Sequence, residues 1–132
     1  MSKYVDGYVL VIHEDSTEAY KKMAENGRDM WMKHGALEYF ECRGTDLVPK
    51  DMGGEKPRAF TEMAGAGAGD NVWFSFIVFK SKAHRDEVNA KVMEDMGKAM
   101  AGQENMKMPF EMSSMAYGGF QVEVEGGSTS EK

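Results

Sequence analysis

The mostly apolar stretch from Tyr4 to Ile12, placed alternately on two faces, puts Tyr4, Asp6, Tyr8, Leu10 and Ile12 on one and Val5, Gly7, Val9 and Val11 on the other. A period of two predicts a strand. Asp15-x-x-Glu18 has the capping-box pattern that opens a helix. Tyr20, Met23, Ala24, Gly27, Met30 and Trp31 then recur at helical spacing, His34 continues that face, and Gly35 supplies the stop. Leu37 to Arg43 reads as a second strand, with Leu37, Tyr39, Glu41 and Arg43 on one side and Glu38, Phe40 and Cys42 on the other. Gly44 to Asn71 is a long connection rich in Gly, Pro and charge, with one helical turn at Phe60–Ala64. Loops of that length in a compact domain are lids, binding loops or disordered segments.

Val72 to Phe79 is apolar on both faces except at Ser75. It reads as a third strand covered on both sides. Ser81 caps a helix from Lys82 to Met100, which Ala101-Gly102 ends. The stripe of that helix is Val88, Val92, Met96 and Ala99, and Arg85 and Asn89 fall within it where aliphatic residues are expected. After an irregular segment from Gln103 to Ser114, Ala116 to Val124 reads as a fourth strand. Gly126 to Lys132 is polar and reads as a flexible tail, leaving one domain over residues 1–125.

The order βαββαβ predicts a ferredoxin-like α+β fold, a four-stranded antiparallel sheet with two helices on one face. Two helices cover one face only. Tyr4, Tyr8, Tyr39 and Tyr117 share parity sets with Asp6, Glu41, Arg43 and Gln121, and parity does not say which set faces the helices. A surface mixing tyrosines with charges suits a half-buried interface or a pocket. A second copy, packed sheet to sheet about a two-fold axis, is the economical cover, so the expected partner is the protein itself as a homodimer.

Composition narrows the function. A net charge of −6 argues against sequence-independent nucleic-acid binding and against anionic membranes. No apolar run approaches the length of a membrane span. The single cysteine, Cys42, makes no internal disulfide and is expected on the helix side as a small core residue. With no secretory signal pattern, the expected location is the cytoplasm. The thirteen methionines concentrate from Met93 onward. Met106-x-Met108 and Met112-x-x-Met115 lack accompanying Cys or His, so they read as adaptable core filler and not as a copper(I) site.

No pair of histidines has metal-ligand spacing, and neither a metal nor another cofactor is expected. Arg85 and Asn89 fit two roles. They are pocket groups orienting an anionic or carbonyl-bearing ligand, or they form a buried network in which Arg85 meets a carboxylate and Asn89 a loop carbonyl. The network is the preferred reading. His84 flanks that stripe; His84-Arg85-Asp86 resembles a kinase triplet, but the Asn spacing is wrong and no phosphate loop accompanies it. Gly65 to Gly69 precedes a strand, unlike a nucleotide loop, and reads as a linker. His34 suits a base or haem ligand, or a C-terminal histidine satisfied by the helix dipole and last carbonyls, the reading preferred here. His13 is expected at the surface. Glu41, Arg43 and Tyr39 share one strand face and suit acid–base chemistry, or a cross-strand ion pair at a dimer interface. Asp6-Gly7 inside a strand suggests a bulge or a close backbone approach, and with Tyr8 it is the other carboxylate candidate.

Several longer motifs carry a resemblance. Tyr4-Val5-Asp6-Gly7, Gly35-Ala36-Leu37-Glu38 with Glu41-Cys42 and Gly44-x-Asp46, Phe74-Ser75-Phe76-Ile77-Val78, His84-Arg85-Asp86-x-Val88-Asn89-Ala90-Lys91-Val92-Met93, and Met108-Pro109-Phe110 before Tyr117-Gly118-Gly119-Phe120 occur in order. The chain from Tyr4 to Val124 thereby resembles the YbaA-like family, a bacterial domain of unknown function. The resemblance implies the dimeric α/β-barrel superfamily of ferredoxin-like domains, whose members include cofactor-less monooxygenases, haem-degrading enzymes and lactone isomerases. Glu111-Met112-Ser113-Ser114 and Asp95-Met96-Gly97 depart from the family pattern where relatives carry basic residues, which weakens the case for an anion there.

Three readings follow. The leading one is a small-molecule-binding homodimer with its ligand between sheet and loops. The second is a cofactor-independent oxygenase or isomerase using Glu41, His34 and Arg85. The third is a structural or interaction module. For any ligand site the candidates are Asp6, Tyr8, Tyr39, Arg43, His84, Asn89 and Tyr117.

Overall fold

The computed structural model describes residues 2–99, 101 and 108–127. Strand β1 is Tyr4–His13, followed by a 3-10 turn at Glu14–Ser16 and helix α1 at Thr17–Lys33. Strand β2 is Glu38–Arg43, helix α2 Phe60–Ala64 and strand β3 Asp70–Phe79. Helix α3 is Lys82–Ala99, and a 3-10 turn at Met112–Ser114 leads into strand β4, Ala116–Gln121. The strands lie in the order β2-β3-β1-β4, all pairs antiparallel, in an open sheet. This is the ferredoxin-like arrangement expected from the element order. Met106 and the tail from residue 128 lie outside the described residues.

Local chemistry departs from expectation at the start of α1 and meets it at α3, where Ser81 is the cap. No capping box opens α1: the His13 ring accepts the Asp15 N–H at 3.2 Å to start the 3-10 turn, and Ser16 makes no side-chain cap. At α3, Ser81 Oγ accepts the His84 N–H at 3.1 Å, and His84 Nδ1 accepts the Lys80 N–H at 3.0 Å. Gly35 ends the α1 turn at φ +112°, a conformation that favours glycine. Asp6 and Gly7 pair in unbroken register with both neighbouring strands, so no bulge forms. The glycine instead admits a close approach, since a Cβ there would stand 3.4 Å from the Phe120 ring.

The core has two parts. Trp31, Ala36, Ile77, Phe79, Val88 and Val92 pack at one end, and Leu10, Ile12, Tyr20, Ala24 and Trp73 at the other, with Tyr8 touching both. Register places the parity set of Tyr4, Asp6, Tyr8, Tyr39, Glu41 and Tyr117 on the helix-covered side. The opposite face is apolar. Phe40, Phe74 and Phe120 are exposed there, and Phe76 stacks between the first two with ring centroids at 4.9 and 5.5 Å. Cys42 pairs with Phe74 and is exposed, so it stands on the open face and not on the helix side. Successive side chains of a strand point to opposite faces, so Glu41 on the helix side leaves Cys42 facing outward. The long connection lays α2 against β3 and β1, covering one end of the open face.

Candidate functional site

The helix-side register produces one rung that is polar across all four strands, Tyr117–Tyr8–Ser75–Glu41. The next rung carries Gly119, Asp6, Ile77 and Tyr39. These two rungs separate the apolar clusters and organise the buried polar groups into two networks.

The first surrounds Asp6, which is 0% exposed. Arg85 Nη1 donates to Asp6 Oδ1 at 2.5 Å and to the Tyr117 hydroxyl at 3.0 Å. Arg85 Nε donates to Asp86 at 2.8 Å, and the guanidinium lies over the Tyr4 ring at 4.9 Å. Asn89 Nδ2 donates to the second Asp6 oxygen at 3.2 Å, while Asn89 Oδ1 accepts the Trp31 indole N–H at 2.9 Å. Asn89 therefore ties together side chains from β1 and α1, and not a loop carbonyl. The glycine at 119 makes room: a Cβ there would stand 2.6 Å from the Tyr4 hydroxyl and 3.0 Å from Arg85 Nη1. Burying an aspartate costs little only when it is ion-paired and hydrogen-bonded, and both conditions hold here.

The second network surrounds Glu41. Its Oε1 accepts the Tyr20 hydroxyl at 2.7 Å and the Ser75 hydroxyl, and its Oε2 accepts the Tyr39 hydroxyl at 2.6 Å. Among the described residues no cation stands within ion-pair distance of Glu41. Burial, then the nearby Glu41 charge and its hydrogen bond, push the Tyr20 and Tyr39 hydroxyls far above their ordinary value of 10.0. Burial and the neighbouring Asp6 push Tyr8 in the same direction. The Tyr20 and Tyr39 phenols stay protonated and donate to Glu41. Tyr8 has no hydrogen-bond partner among the described residues and stands between the two networks against the Tyr117 ring, at 5.0 Å.

The other expected site residues fall elsewhere. His34 Nε2 meets Asp95 Oδ2 of α3 at 2.5 Å, and Lys33 approaches the same oxygen at 3.4 Å. The His34 ring is thus held by a carboxylate and not by the last carbonyls of α1, which its backbone N–H serves instead. Arg43 reaches Glu14 at 3.0 Å and forms no pair with Glu41. Glu41, His34 and Arg85 belong to three separate hydrogen-bonded groups. Among the described residues, no cluster of His, Cys, Asp or Glu could hold a metal ion, and no helix is long and apolar enough to cross a membrane.

An open cleft of about 400 Å³ runs between α1 and the edge strand β2. Tyr39, Glu41 and Trp73 line it together with Ala24 and Phe40, and Lys21, Glu25, Arg28 and Arg43 add charge. The Trp73 residue is 4% exposed, and its indole N–H has no hydrogen-bond partner among the described residues. A buried donor left unmade is uncommon and costs free energy. Reasoning from sequence missed Trp73, Tyr20 and Ser75. Trp73 and Ser75 were visible only as parts of a strand, and Tyr20 as one position of an apolar helical stripe.

Known proteins match both the sequence and the fold. The family described as protein of unknown function, DUF1428, matches residues 3–112. Uncharacterized protein YbaA of Escherichia coli strain K12 is 36% identical over 123 residues, covering 93% of this chain and 98% of its own. YbaA of Shigella flexneri matches to the same extent. A dimeric ferredoxin-like protein from an uncultured marine organism superposes with a TM-score of 0.56 at 8% identity, over 96% of this chain and 100% of that one. At that identity the likeness speaks to the fold, which is ferredoxin-like.

Proposed function

Because the chain belongs to the YbaA-like family of proteins of unknown function, DUF1428, a kinship that names no substrate, we propose from geometry that it binds a small molecule in the cleft between α1 and β2. One observation carries this reading. The cleft is lined by a carboxylate without a counter-ion, Glu41, and by a buried indole whose N–H lacks a partner, Trp73. Apolar walls with a few unspent polar groups are the usual make-up of a ligand site, and the volume lies in the usual range.

The same reading makes the protein a homodimer joined through its open sheet face. The exposed phenylalanines of that face support this, as does the dimeric state named for the marine ferredoxin-like protein. A lone exposed cysteine suits a reducing compartment and supports the cytoplasm.

The test is a fragment screen followed through the two indole N–H signals in nitrogen-15 NMR spectra. Trp73 is expected to move on binding, while Trp31, already bonded to Asn89, stays in place. A screen of acids, amines and neutral fragments that leaves the Trp73 signal and its neighbours unmoved would sink the proposal.

A second reading, catalysis without a cofactor, draws on Glu41 alone. A carboxylate held by hydroxyl donors and facing a cleft is placed to accept a proton from a bound molecule. His34 and Arg85 are tied into other networks and do not join it.

A further inference from the structure

Among the described residues, sulfur is kept out of the buried core. Ten of the thirteen methionines fall among those residues, and none of the ten is buried. Met32, Met52, Met63, Met93, Met108 and Met112 are exposed, from 39% at Met108 to 73% at Met52. Met30 and Met96 lie half-buried against the cluster of Trp31 and Phe79, and Met23 and Met115 against that of Tyr20 and Trp73. Cys42 is exposed as well. The expectation of core filler therefore fails at Met108 and Met112. Methionine is ordinarily buried about as readily as the aliphatic residues. This chain has thirteen methionines against three leucines, yet its buried apolar positions go to Leu, Ile, Val, Ala and aromatic rings.

That placement has a chemical consequence. Oxidation to the sulfoxide turns an apolar thioether into a polar group, which disrupts a core but meets water at a surface. The six exposed sulfurs can take up oxygen while the buried clusters keep their packing. The four half-buried ones cannot, because each leans on a cluster and its sulfoxide would bring a polar oxygen there.

We propose that the protein is a reversible oxidant sink, with the six exposed methionines as its sites and hypohalous acid as its substrate class. With hypochlorous acid, the thioether sulfur attacks chlorine and hydroxide leaves. Water then displaces chloride from the sulfur and forms the S–O bond. The net products are one sulfoxide, one chloride and one proton, the sulfur giving up the two electrons that reduce the chlorine. Thiol-dependent sulfoxide reductases, one for each sulfoxide epimer, restore the thioether.

The test adds hypochlorous acid in substoichiometric steps to the full chain carrying Cys42→Ser, which removes the competing exposed thiol. Peptide mass spectrometry reads each methionine separately. The six exposed sites are expected to oxidise about tenfold faster than Met23, Met30, Met96 and Met115, with the urea midpoint unchanged until those four react. The two reductases together are expected to return the parent mass after the first phase. Changing the six together, Met32→Leu, Met52→Leu, Met63→Leu, Met93→Leu, Met108→Leu and Met112→Leu, is expected to cut oxidant uptake in that phase severalfold. Equal rates at exposed and half-buried sites, a fall in the urea midpoint on the first additions, or undiminished uptake by the leucine variant overturns the proposal. The rates and the midpoint are read on a chain that keeps all its methionines, so they decide the matter even where the leucine variant fails to fold.

Discussion

At the scale of single residues, the Asp6–Arg85 pair has the sharpest energetic consequence. Asp6 is wholly enclosed and the Arg85 side chain is 13% exposed. Removing the arginine alone strands a buried carboxylate, which costs about 3–5 kcal/mol. Arg85→Met is therefore expected to lower unfolding free energy by about that amount in urea titration. The double change Asp6→Asn with Arg85→Met should recover most of it, because no charge is then left unpaired. A double variant as unstable as the single one would show that shape, and not charge, sets the cost. The tyrosines give a pH dependence with a definite sign. Tyr8, Tyr20 and Tyr39 have folded pKa values raised above the ordinary 10.0. A raised value contributes stability in full below the unfolded pKa and loses it as pH rises towards the folded one. Tyrosinate absorbance is thus expected to appear above pH 10 in step with loss of circular dichroism. Ionisation of Tyr8, Tyr20 and Tyr39 at their ordinary value, ahead of that loss, would contradict their buried placement.

At the scale of elements, α1 approaches β2 closely because position 27 has no side chain. A Cβ on Gly27 would stand 3.0 Å from the Tyr39 hydroxyl, the donor to Glu41 Oε2. Alanine in a helix interior ordinarily gains about 1 kcal/mol over glycine. Gly27→Ala is expected to forfeit that gain because it pushes Tyr39 off Glu41, whereas in a Tyr39→Phe background the same change becomes stabilising. Denaturant midpoints of the four proteins decide it. The elements themselves were largely legible. The mostly apolar run of Tyr4–Ile12 and the helical stripe of Tyr20, Ala24 and Trp31 mark β1 and α1 within a few residues. The start of α1 was not, since Asp15 and Glu18 imitate a capping box while the His13 ring makes the turn. β4 stops at Gln121 and not at Val124, although the Val122 N–H still reaches Lys3 O at 3.0 Å. Val124 has no strand to face and is exposed.

At the scale of the whole molecule, the open face is where the proposed dimer can be tested. Phe40, Phe74 and Phe120 stand on the side opposite the helices, and only one end of that side is covered by the long connection. Phe74→Glu with Phe120→Glu is expected to leave the circular dichroism spectrum intact, since both rings are exposed, and to convert a dimer to a monomer in micromolar sedimentation. An unmodified protein that already sediments as a monomer would remove the dimer.

By itself, the sequence determined the number, kind and order of the strands and of the two long helices, because periodicity is a local property of the chain. It also marked Arg85 and Asn89 as polar intruders in an apolar stripe, and Glu41 as a strand carboxylate. The tertiary structure alone decided which parity set faces the helices. A strand shows two equivalent faces until something packs on one of them. That choice put the tyrosines and carboxylates inside and Cys42 and the phenylalanines outside. Partner choice was also beyond sequence. Asn89 meets Asp6 and Trp31, which lie 83 and 58 residues away along the chain, and His34 meets Asp95 across 61. Such pairings depend on how the elements pack together, and residue type says only that some partner must exist.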